Sequence, residues 1–431
     1  MIFKTLLTSS AALLLTAGAA LAQTVAITNA KAWTGTAQGT VENATIIMVD
    51  GEIAEIRTGA SSLPSGATVV NAGGGWVTPG IISPFSRTGL VEVGAESSTN
   101  DVSAGDSDYS VALRAADSFN PAASTIPVTR LEGVTRIVVA PGTGSDMFAG
   151  NGLVADTSGA PDSILDDNAF VFIRMGEAGA RIAGGSRSAA WTRLRAALSD
   201  ARTFPARYLA HNDGDALSRV DAQAFGQAAR GQQLILVEAH RASDITRLIA
   251  FAGETPELNL AILGADEAWM VAEELAEAKI PVIIDPFQNL PASFEQLGAT
   301  QENAARLIEA GVITAFAHLG DDGHQARLVL QSAGNAVGNG VSHDDALAAI
   351  TVAPAAIFGL EGLGSIAPGA TADLVVWDGD PLEVMSAPTH IFIDGEEQSL
   401  ESRQTRLRDR YLGLDNGDLP FAYRHAVPDS E

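Results

Sequence analysis

The chain has 431 residues, with 26 Lys and Arg against 52 Asp and Glu, a formal net charge of −26 and no cysteine. Without cysteine there are no disulfides, thiolate zinc sites or cysteine nucleophiles, so any metal must bind to His, Asp or Glu. The acidic balance argues against nucleic acid as a partner, because phosphate binding needs clustered Lys and Arg. A hydrophobic content of 46% favours a globular protein, and its length favours more than one folding unit.

Residues 1–22 have the pattern of a signal peptide. Lys4 supplies the positive charge, residues 6–15 form a mostly apolar run, and Ala20-Leu21-Ala22 is a small-residue cleavage site. We expect cleavage before Gln23 and a periplasmic or secreted mature protein. The apolar run is too short for a permanent membrane span, and no cysteine follows it to carry a lipid, so no membrane anchor is expected.

Two β-rich stretches stand at opposite ends of the mature chain. Asp50-Gly51 separates two apolar runs near the start, which is a strong signal for a hairpin turn. We expect strands at residues 25–27, 45–49, 53–56, 69–70 and 76–77, and again at residues 373–377 and 390–396. The two stretches are predicted to pair in one small β-domain, with the rest of the chain inserted between them.

The middle of the chain alternates short apolar strands with amphipathic helices, which predicts a parallel sheet. The predicted strands are residues 136–140, 170–173, 234–237, 260–263, 282–284 and 313–316. The predicted helices are residues 190–200, 221–230, 243–252, 268–278 and 302–310. About eight such units would close a TIM-type barrel.

These patterns predict the α/β fold class, with a (β/α)8 barrel inserted into a small β-sandwich. The boundaries we assign are a signal peptide at residues 1–22, a β-sandwich domain at residues 23–78 and 364–400, a barrel at residues 79–363 and a C-terminal tail at residues 401–431.

Three ordered motifs carry a resemblance to a known family. They are GWVTPGII at residues 75–82, ALAAITVAPA at residues 346–355, and LGSIAPGATADLVVW at residues 363–377. In sequence and spacing they resemble the start of the first barrel strand, the last helix and the return to the β-domain in the amidohydrolase superfamily. The pattern is most similar to the imidazolonepropionase-like group.

The resemblance implies hydrolysis of C–N bonds with one or two metals at the C-terminal face of the barrel. Family members begin their ligand set with a His-x-His pair after the Pro-Gly segment, and two such residues face the same side of a strand. Phe85 and Arg87 hold these positions here. Phenylalanine has no lone pair and arginine is a fixed cation, so the metal motif is degenerate.

The other candidate site residues are assigned by register with the family. His240 matches the histidine after the fifth strand, and Asp321 lies just beyond the position of the aspartate after the last strand. We predict His240 and Asp321 as catalytic residues, and Arg87, Asn289 and His324 as contacts to a small-molecule substrate. No residue is assigned as a metal ligand and no cofactor is predicted. One weakly bound divalent ion such as zinc is left as an alternative.

Two functions remain open. One is a hydrolase of C–N bonds other than peptide bonds, with a reduced metal site or metal-free chemistry in which His240 is the base. The other is a catalytically inactive member of the fold that binds a ligand or partner, with His240 as a hydrogen-bonded residue at a strand end. Arg87 fits either a substrate anion or an ion pair with Glu92 or a nearby Asp. By analogy with the family, a homodimer is one alternative for assembly.

Overall fold

The computed structural model describes residues 23–59, 62–209, 214–320, 323 and 325–412. The predicted signal peptide, Asp321, His324 and residues 413–431 lie outside the described residues.

The first strands form a hairpin at the start of a mixed sheet. In the Asp50-Gly51 turn, the two φ angles are +50° and +86°, and the turn pairs Val49 with Glu52. A two-residue turn with both φ angles positive matches the twist of the flanking strands, so the predicted hairpin is confirmed. The strands are β1 (Thr24–Trp33), β2 (Thr40–Val49), β3 (Glu52–Thr58), β4 (Thr68–Asn71) and β5 (Trp76–Pro79).

The second sheet has eight strands in sequence order and closes almost completely into a barrel, which confirms the predicted fold. Its strands are β6 (Ile81–Ser86), β7 (Val134–Val139), β8 (Phe148–Asp156), β9 (Ile164–Arg174), β10 (Leu234–Ala239), β11 (Asn259–Gly264), β12 (Val282–Ile284) and β13 (Thr314–Phe316).

One barrel strand differs from the predicted parallel sheet. β8, which the sequence patterns do not predict, pairs antiparallel with both β7 and β9. The other neighbouring pairs in the barrel are parallel. Residues 140–147 join β7 to β8 without a helix, and a parallel crossover needs roughly a dozen residues or more. The chain therefore turns back on itself at this point.

The end of the chain returns to the first sheet. β14 (Leu374–Trp377), β15 (Pro388–Ile393) and β16 (Glu396–Glu397) complete the order β16-β15-β14-β5-β1-β2-β3, and β4 also pairs with β1. β14 runs antiparallel to β5, with Leu374 opposite Pro79. Strands from both ends of the chain thus share one sheet, as predicted, although they form one hydrogen-bonded sheet rather than two.

The helices lie mainly between the barrel strands. They are α1 (Thr125–Arg130), α2 (Gly176–Ile182), α3 (Arg187–Thr203), α4 (Arg219–Ala224), α5 (Gly226–Ala229), α6 (Ala242–Glu254), α7 (Ala272–Ala278), α8 (Asn303–Glu309), α9 (Val329–Gly338), α10 (His343–Ala349), α11 (Val352–Phe358) and α12 (Arg403–Leu412). Among the described helices, none has both the length and the apolar character needed to cross a bilayer.

The predicted helix over residues 346–355 is broken into α10 and α11. Thr351, between them, has φ −137° and ψ −74°. Pro354 explains the break, because its ring would clash with the carbonyl of Ile350 in a continuous helix. In the first turn of α11 the missing N–H of Pro354 costs no hydrogen bond.

A buried arginine joins the barrel to the first sheet. Arg136 on β7 donates from Nε and Nη2 to the two carboxylate oxygens of Asp373, at 2.7 and 2.8 Å, and from Nη2 to Asp394 at 2.7 Å. Arg136 is 1% exposed. A buried guanidinium is stable only with such partners, so these three side chains fix the two sheets together.

Candidate functional site

A cavity of about 270 Å³ lies at the C-terminal ends of the barrel strands. This is the end at which barrels of this kind carry their sites. The described residues that line it are Phe85, Arg87, Arg174, Glu238, His240, Leu263, Gly264, Asp266, Gln288, Gln296 and Leu319.

Phe85 and Arg87 both face this cavity, as predicted. The Arg87 guanidinium carbon lies 4.8 Å from the centre of the Phe85 ring and 5.6 Å from that of Phe172. Its Nη1 donates to the carbonyl oxygens of Ala140 and Pro141, the latter at 2.6 Å. The two positions at which the family resemblance implies imidazoles therefore hold an aromatic ring with a cation stacked on it.

His240 lies between two carboxylates. The Nδ1 atom is 2.5 Å from Oδ2 of Asp266, and Nε2 is 3.4 Å from Oε1 of Glu238. Glu238 and His240 stand two residues apart at the end of β10, so their side chains project from the same face of the sheet. Oε2 of Glu238 also accepts a hydrogen bond from Nε of Arg174 at 2.7 Å.

This arrangement fixes the charge state of His240. Burial disfavours the charged ring, but the hydrogen bonds to Asp266 and Glu238 outweigh it and raise the pKa of His240 to about 10. Burial likewise opposes the charge of Glu238, yet the bonds from His240 and Arg174 lower the pKa of Glu238 to about 2. At neutral pH His240 is thus an imidazolium beside carboxylates, which favours proton donation over the predicted role of base.

Asp266 is positioned by an unusual turn after β11. Gly264 has φ +90° and Ala265 has φ +45°, a left-handed region that costs energy for alanine. The turn brings Asp266, which is buried, under the His240 ring. Nε2 of Gln296 donates to the same Asp266 oxygen at 2.8 Å. Asp266 therefore accepts hydrogen bonds from two side chains that line the cavity.

The described lining residues do not fit a metal ion. Within the described part of the chain, no group of three or more His, Asp or Glu side chains is arranged to hold one. Both ring nitrogens of His240 already face carboxylates, and Arg87 brings a positive charge to the position of an expected ligand. A protein zinc site needs about three or four lone-pair donors converging on one point.

The other predicted site residues are placed differently. Asn289 is exposed and does not line the cavity, whereas its neighbour Gln288 does. Asp321 and His324 lie outside the described residues. Close to them in sequence, His318 Nδ1 is 3.7 Å from Oδ2 of Asp285. Burial raises the pKa of Asp285 above its ordinary value.

Several lining residues were not predicted as site residues, namely Arg174, Glu238, Asp266 and Gln296. For Glu238 a signal was available, since Glu-x-His at the end of a predicted strand places both side chains on one face. Asp266 follows β11 by two residues, where barrel sites draw on strand ends. Gln296 lies in a long connection whose path could not be read from the sequence pattern.

Comparison with known proteins identifies the family. The model described as "Amidohydrolase family" matches residues 158–400, which is more than half of the chain, so the chain belongs to the amidohydrolase family. It is 26% identical over 391 residues to the amidohydrolase TasK of Hapsidospora irregularis, covering 83% of this chain and 39% of that one. The chain thus spans well under half of the length of this curated relative.

Solved structures give the same family fold. An amidohydrolase from Thermotoga maritima matches with a TM-score of 0.77 at 27% identity, over 86% of this chain and 99% of that one. A molinate hydrolase matches with a TM-score of 0.54 at 14% identity, over 95% of this chain and 98% of that one, and shows the shared fold alone. The narrower resemblance to the imidazolonepropionase-like group stays a prediction.

Proposed function

We propose that this amidohydrolase hydrolyses a C–N bond, other than a peptide bond, in a small molecule held in the barrel cavity, with His240 as proton donor. Family membership and the naming of TasK and the Thermotoga maritima protein as amidohydrolases support the reaction class. The observation that carries the proposal is His240, held between Asp266 and Glu238 in the cavity wall.

The geometry supplies the proton transfers that amide hydrolysis requires. A water oxygen bonds to the carbonyl carbon and passes its proton to the Glu238 carboxylate, which holds the proton only transiently because its pKa is about 2. The imidazolium of His240 protonates the nitrogen as the C–N bond breaks, so an acid and a neutral amine result. Transfer from Glu238 to Nε2 of His240, across 3.4 Å, then restores the starting state. Arg87 lines the same cavity and supplies positive charge for the carbonyl oxygen in the transition state.

The same proposal includes a degenerate metal site. Phe85 and Arg87 support it, because neither side chain ligates a metal at neutral pH. No step of the proposed reaction passes through a metal. The alternative of one weakly bound divalent ion such as zinc is tested by elemental analysis of chelator-free protein.

Activity and metal content are measured together. Full-length protein is incubated with a panel of linear and cyclic amides, release of amine is followed by fluorescence, and zinc, iron and manganese are quantified. We expect His240→Gln to lower turnover by about 10²–10⁴-fold, the usual contribution of a proton-transfer residue. The control is His390→Gln, because His390 lies on β15 in the first sheet and pairs with Glu397. Unchanged turnover in His240→Gln would show that the site is misplaced.

A second candidate is a non-catalytic binding module. Arg87 favours it, because a guanidinium bound to the carbonyls of Ala140 and Pro141 occupies a position that the family resemblance assigns to a metal ligand. This candidate predicts that amides raise the melting temperature of the wild type without releasing amine. Release of amine that depends on His240 rules it out.

Location and assembly are separate proposals. The signal-peptide pattern of residues 1–22 supports a periplasmic or secreted protein. N-terminal sequencing of protein from a periplasmic fraction should then begin at Gln23. The proposed partner is a small-molecule substrate, with no nucleic acid involved, and sedimentation velocity tests the homodimer.

A further inference from the structure

The connection from β12 to α8 exposes large apolar side chains beside the cavity. Leu290 is 77% exposed, Phe294 is 74% exposed and Leu297 is 62% exposed, and Phe287 is also exposed. We refer to these four residues as the apolar rim. Single exposed apolar residues are ordinary, but four within eleven residues of one loop concentrate exposed apolar surface on that loop.

The loop that carries the apolar rim is fixed to the barrel. The carboxylate of Glu295, itself buried, accepts a hydrogen bond from the backbone N–H of Glu177 at 2.6 Å. Gln296, the next residue, donates to Asp266 at 2.8 Å. Phe294 is thus followed directly by two anchored residues, so the rim is presented on a defined scaffold.

The C-terminal end of the rim is held in the same way. The indole N–H of Trp269 donates to the carbonyl of Gly298 at 2.8 Å. Met270 is half-exposed and packs on the backbone here, since a Cβ atom at Gly298 would lie 2.3 Å from its methyl carbon. Met270 therefore extends the apolar surface beside Leu297.

The loop that carries the rim also contributes to the cavity wall. Gln288 and Gln296 both line the cavity, and they bracket Leu290 and Phe294 in the sequence. The cavity holds about 270 Å³, whereas pockets that enclose a drug-sized ligand usually measure about 300–1,000 Å³. A larger ligand whose polar end enters the cavity therefore extends beyond it, and this loop is one of the segments at its wall.

We propose that the apolar rim binds an apolar arm of the substrate while the cavity holds the amide end. The inference rests on the proposed function and gives it a substrate class: amides carrying an alkyl or aryl group of several carbons. The polar wall of Arg174, Glu238 and His240 suits the amide, and the exposed side chains of Leu290 and Phe294 suit the arm.

The probes are the straight-chain primary amides acetamide, butanamide, hexanamide and octanamide. Dissociation constants are measured by calorimetry on the full chain, and ammonium release is assayed in parallel. We expect affinity to rise about twofold to fourfold per added methylene once the chain reaches the rim. In Leu290→Ser/Phe294→Ser the factor per added methylene should fall to about one, which means no gain in affinity, while binding of acetamide stays unchanged.

The matched control is Leu209→Ser. Leu209 is 86% exposed and lies six residues beyond the C-terminal end of the 17-residue helix α3, whose first and last turns are about 25 Å apart. Arg187 in that first turn lies 3.4 Å from Glu295, which places the cavity side at the opposite end. The chain-length increment should survive in this variant.

The outcomes separate this inference from the proposed function. If affinity rises with chain length but no ammonium is released, the proposed role of the rim is supported and the hydrolase function is contradicted. Ammonium release without any gain of affinity with chain length supports the hydrolase function and overturns the proposed role of the rim. A gain of affinity that persists in Leu290→Ser/Phe294→Ser also overturns the role of the rim. Failure of every amide to bind also overturns it. The remaining outcome is that the wild type shows no gain of affinity with chain length and sediments as a dimer, whereas the double variant sediments as a monomer. The rim would then be a surface between two copies, and the proposal would be wrong.

Discussion

Gly264 lies directly against the imidazole ring of His240. A Cβ atom placed on Gly264 would be 2.4 Å from Cε1 and 2.6 Å from Nδ1 of that ring. The backbone of Gly264 also has φ +90°, which side-chain-bearing residues rarely adopt. Gly264 therefore both begins the turn toward Asp266 and packs against the His240 ring.

Gly264→Ala should therefore displace His240 from Asp266. Overlap with the ring and the unfavourable φ together should lower the free energy of unfolding by about 1–4 kcal/mol. Urea denaturation measures the loss, and the proton resonances of His240 report the ring environment. Gly94→Ala is the control, because a Cβ atom at Gly94 meets nothing within 4 Å. Equal stability of the two variants would contradict the contact.

The pH dependence of stability should show the charge of His240. Its pKa rises from 6.5 to about 10 on folding, so it stabilises the fold fully below pH 6.5 and this contribution disappears as the pH rises toward 10. Each unit by which folding raises the pKa corresponds to about 1.4 kcal/mol in the free energy of unfolding. We expect the difference in unfolding free energy between wild type and His240→Gln to shrink steadily from pH 6.5 to pH 10.

Glu238 should give the opposite dependence at acid pH. Its pKa falls from 4.5 to about 2, so its contribution is present above pH 4.5 and is lost as the pH falls toward 2. Urea denaturation of Glu238→Gln beside the wild type measures the difference. A difference that grows on acidification would be incompatible with the ion pair to Arg174.

Placing histidines at the two positions where the family resemblance implies them should create a metal site. In Phe85→His/Arg87→His, two imidazoles on one face of the strand join His240 in the same cavity, which supplies three nitrogen ligands. Zinc must displace the proton of His240, so binding should strengthen with pH. We expect close to one zinc per chain after dialysis and much less in the wild type. Phe85→His alone is the control, and equal zinc in all three proteins would refute the degenerate motif.

Loss of Arg136 should separate the barrel from the first sheet. Arg136→Met leaves Asp373 buried without its partner, which should cost about 3–5 kcal/mol. Arg136→Lys should cost less but remain destabilising, since lysine cannot donate to both oxygens as a planar fork. Arg406→Met, which removes an exposed pair with Glu401, should change stability by less than about 0.5 kcal/mol. Urea denaturation distinguishes these values. An Arg136→Met variant as stable as the wild type would show that the link is dispensable.

Much of the fold could be predicted because its signals are local. The positive φ angles of Asp50 and Gly51 follow from the residue types in a two-residue turn, and helices such as α6 follow from apolar spacing. β8 escaped prediction because it is buried throughout and contains Gly150 and Gly152, so neither alternation nor strand propensity marks it.

The candidate site was predictable only in part, for a different reason. His240, Phe85 and Arg87 could be placed by register along single strands. The partners of His240 depend on the turn at Gly264 and Ala265, and on the path of the connection that carries Gln296. Such contacts between distant segments are set by tertiary packing, which a single sequence does not display.

The reversed direction of β8 decides the electrostatic polarity of one side of the cavity opening. In an ordinary barrel a strand there would lead into a helix whose first N–H groups give the opening a partial positive charge. Residues 140–147 instead turn tightly, and the carbonyl dipoles of Ala140 and Pro141 face the guanidinium of Arg87. The hairpin and the arginine are therefore complementary parts of one arrangement, and a helix in this place would repel the cation that now occupies the opening.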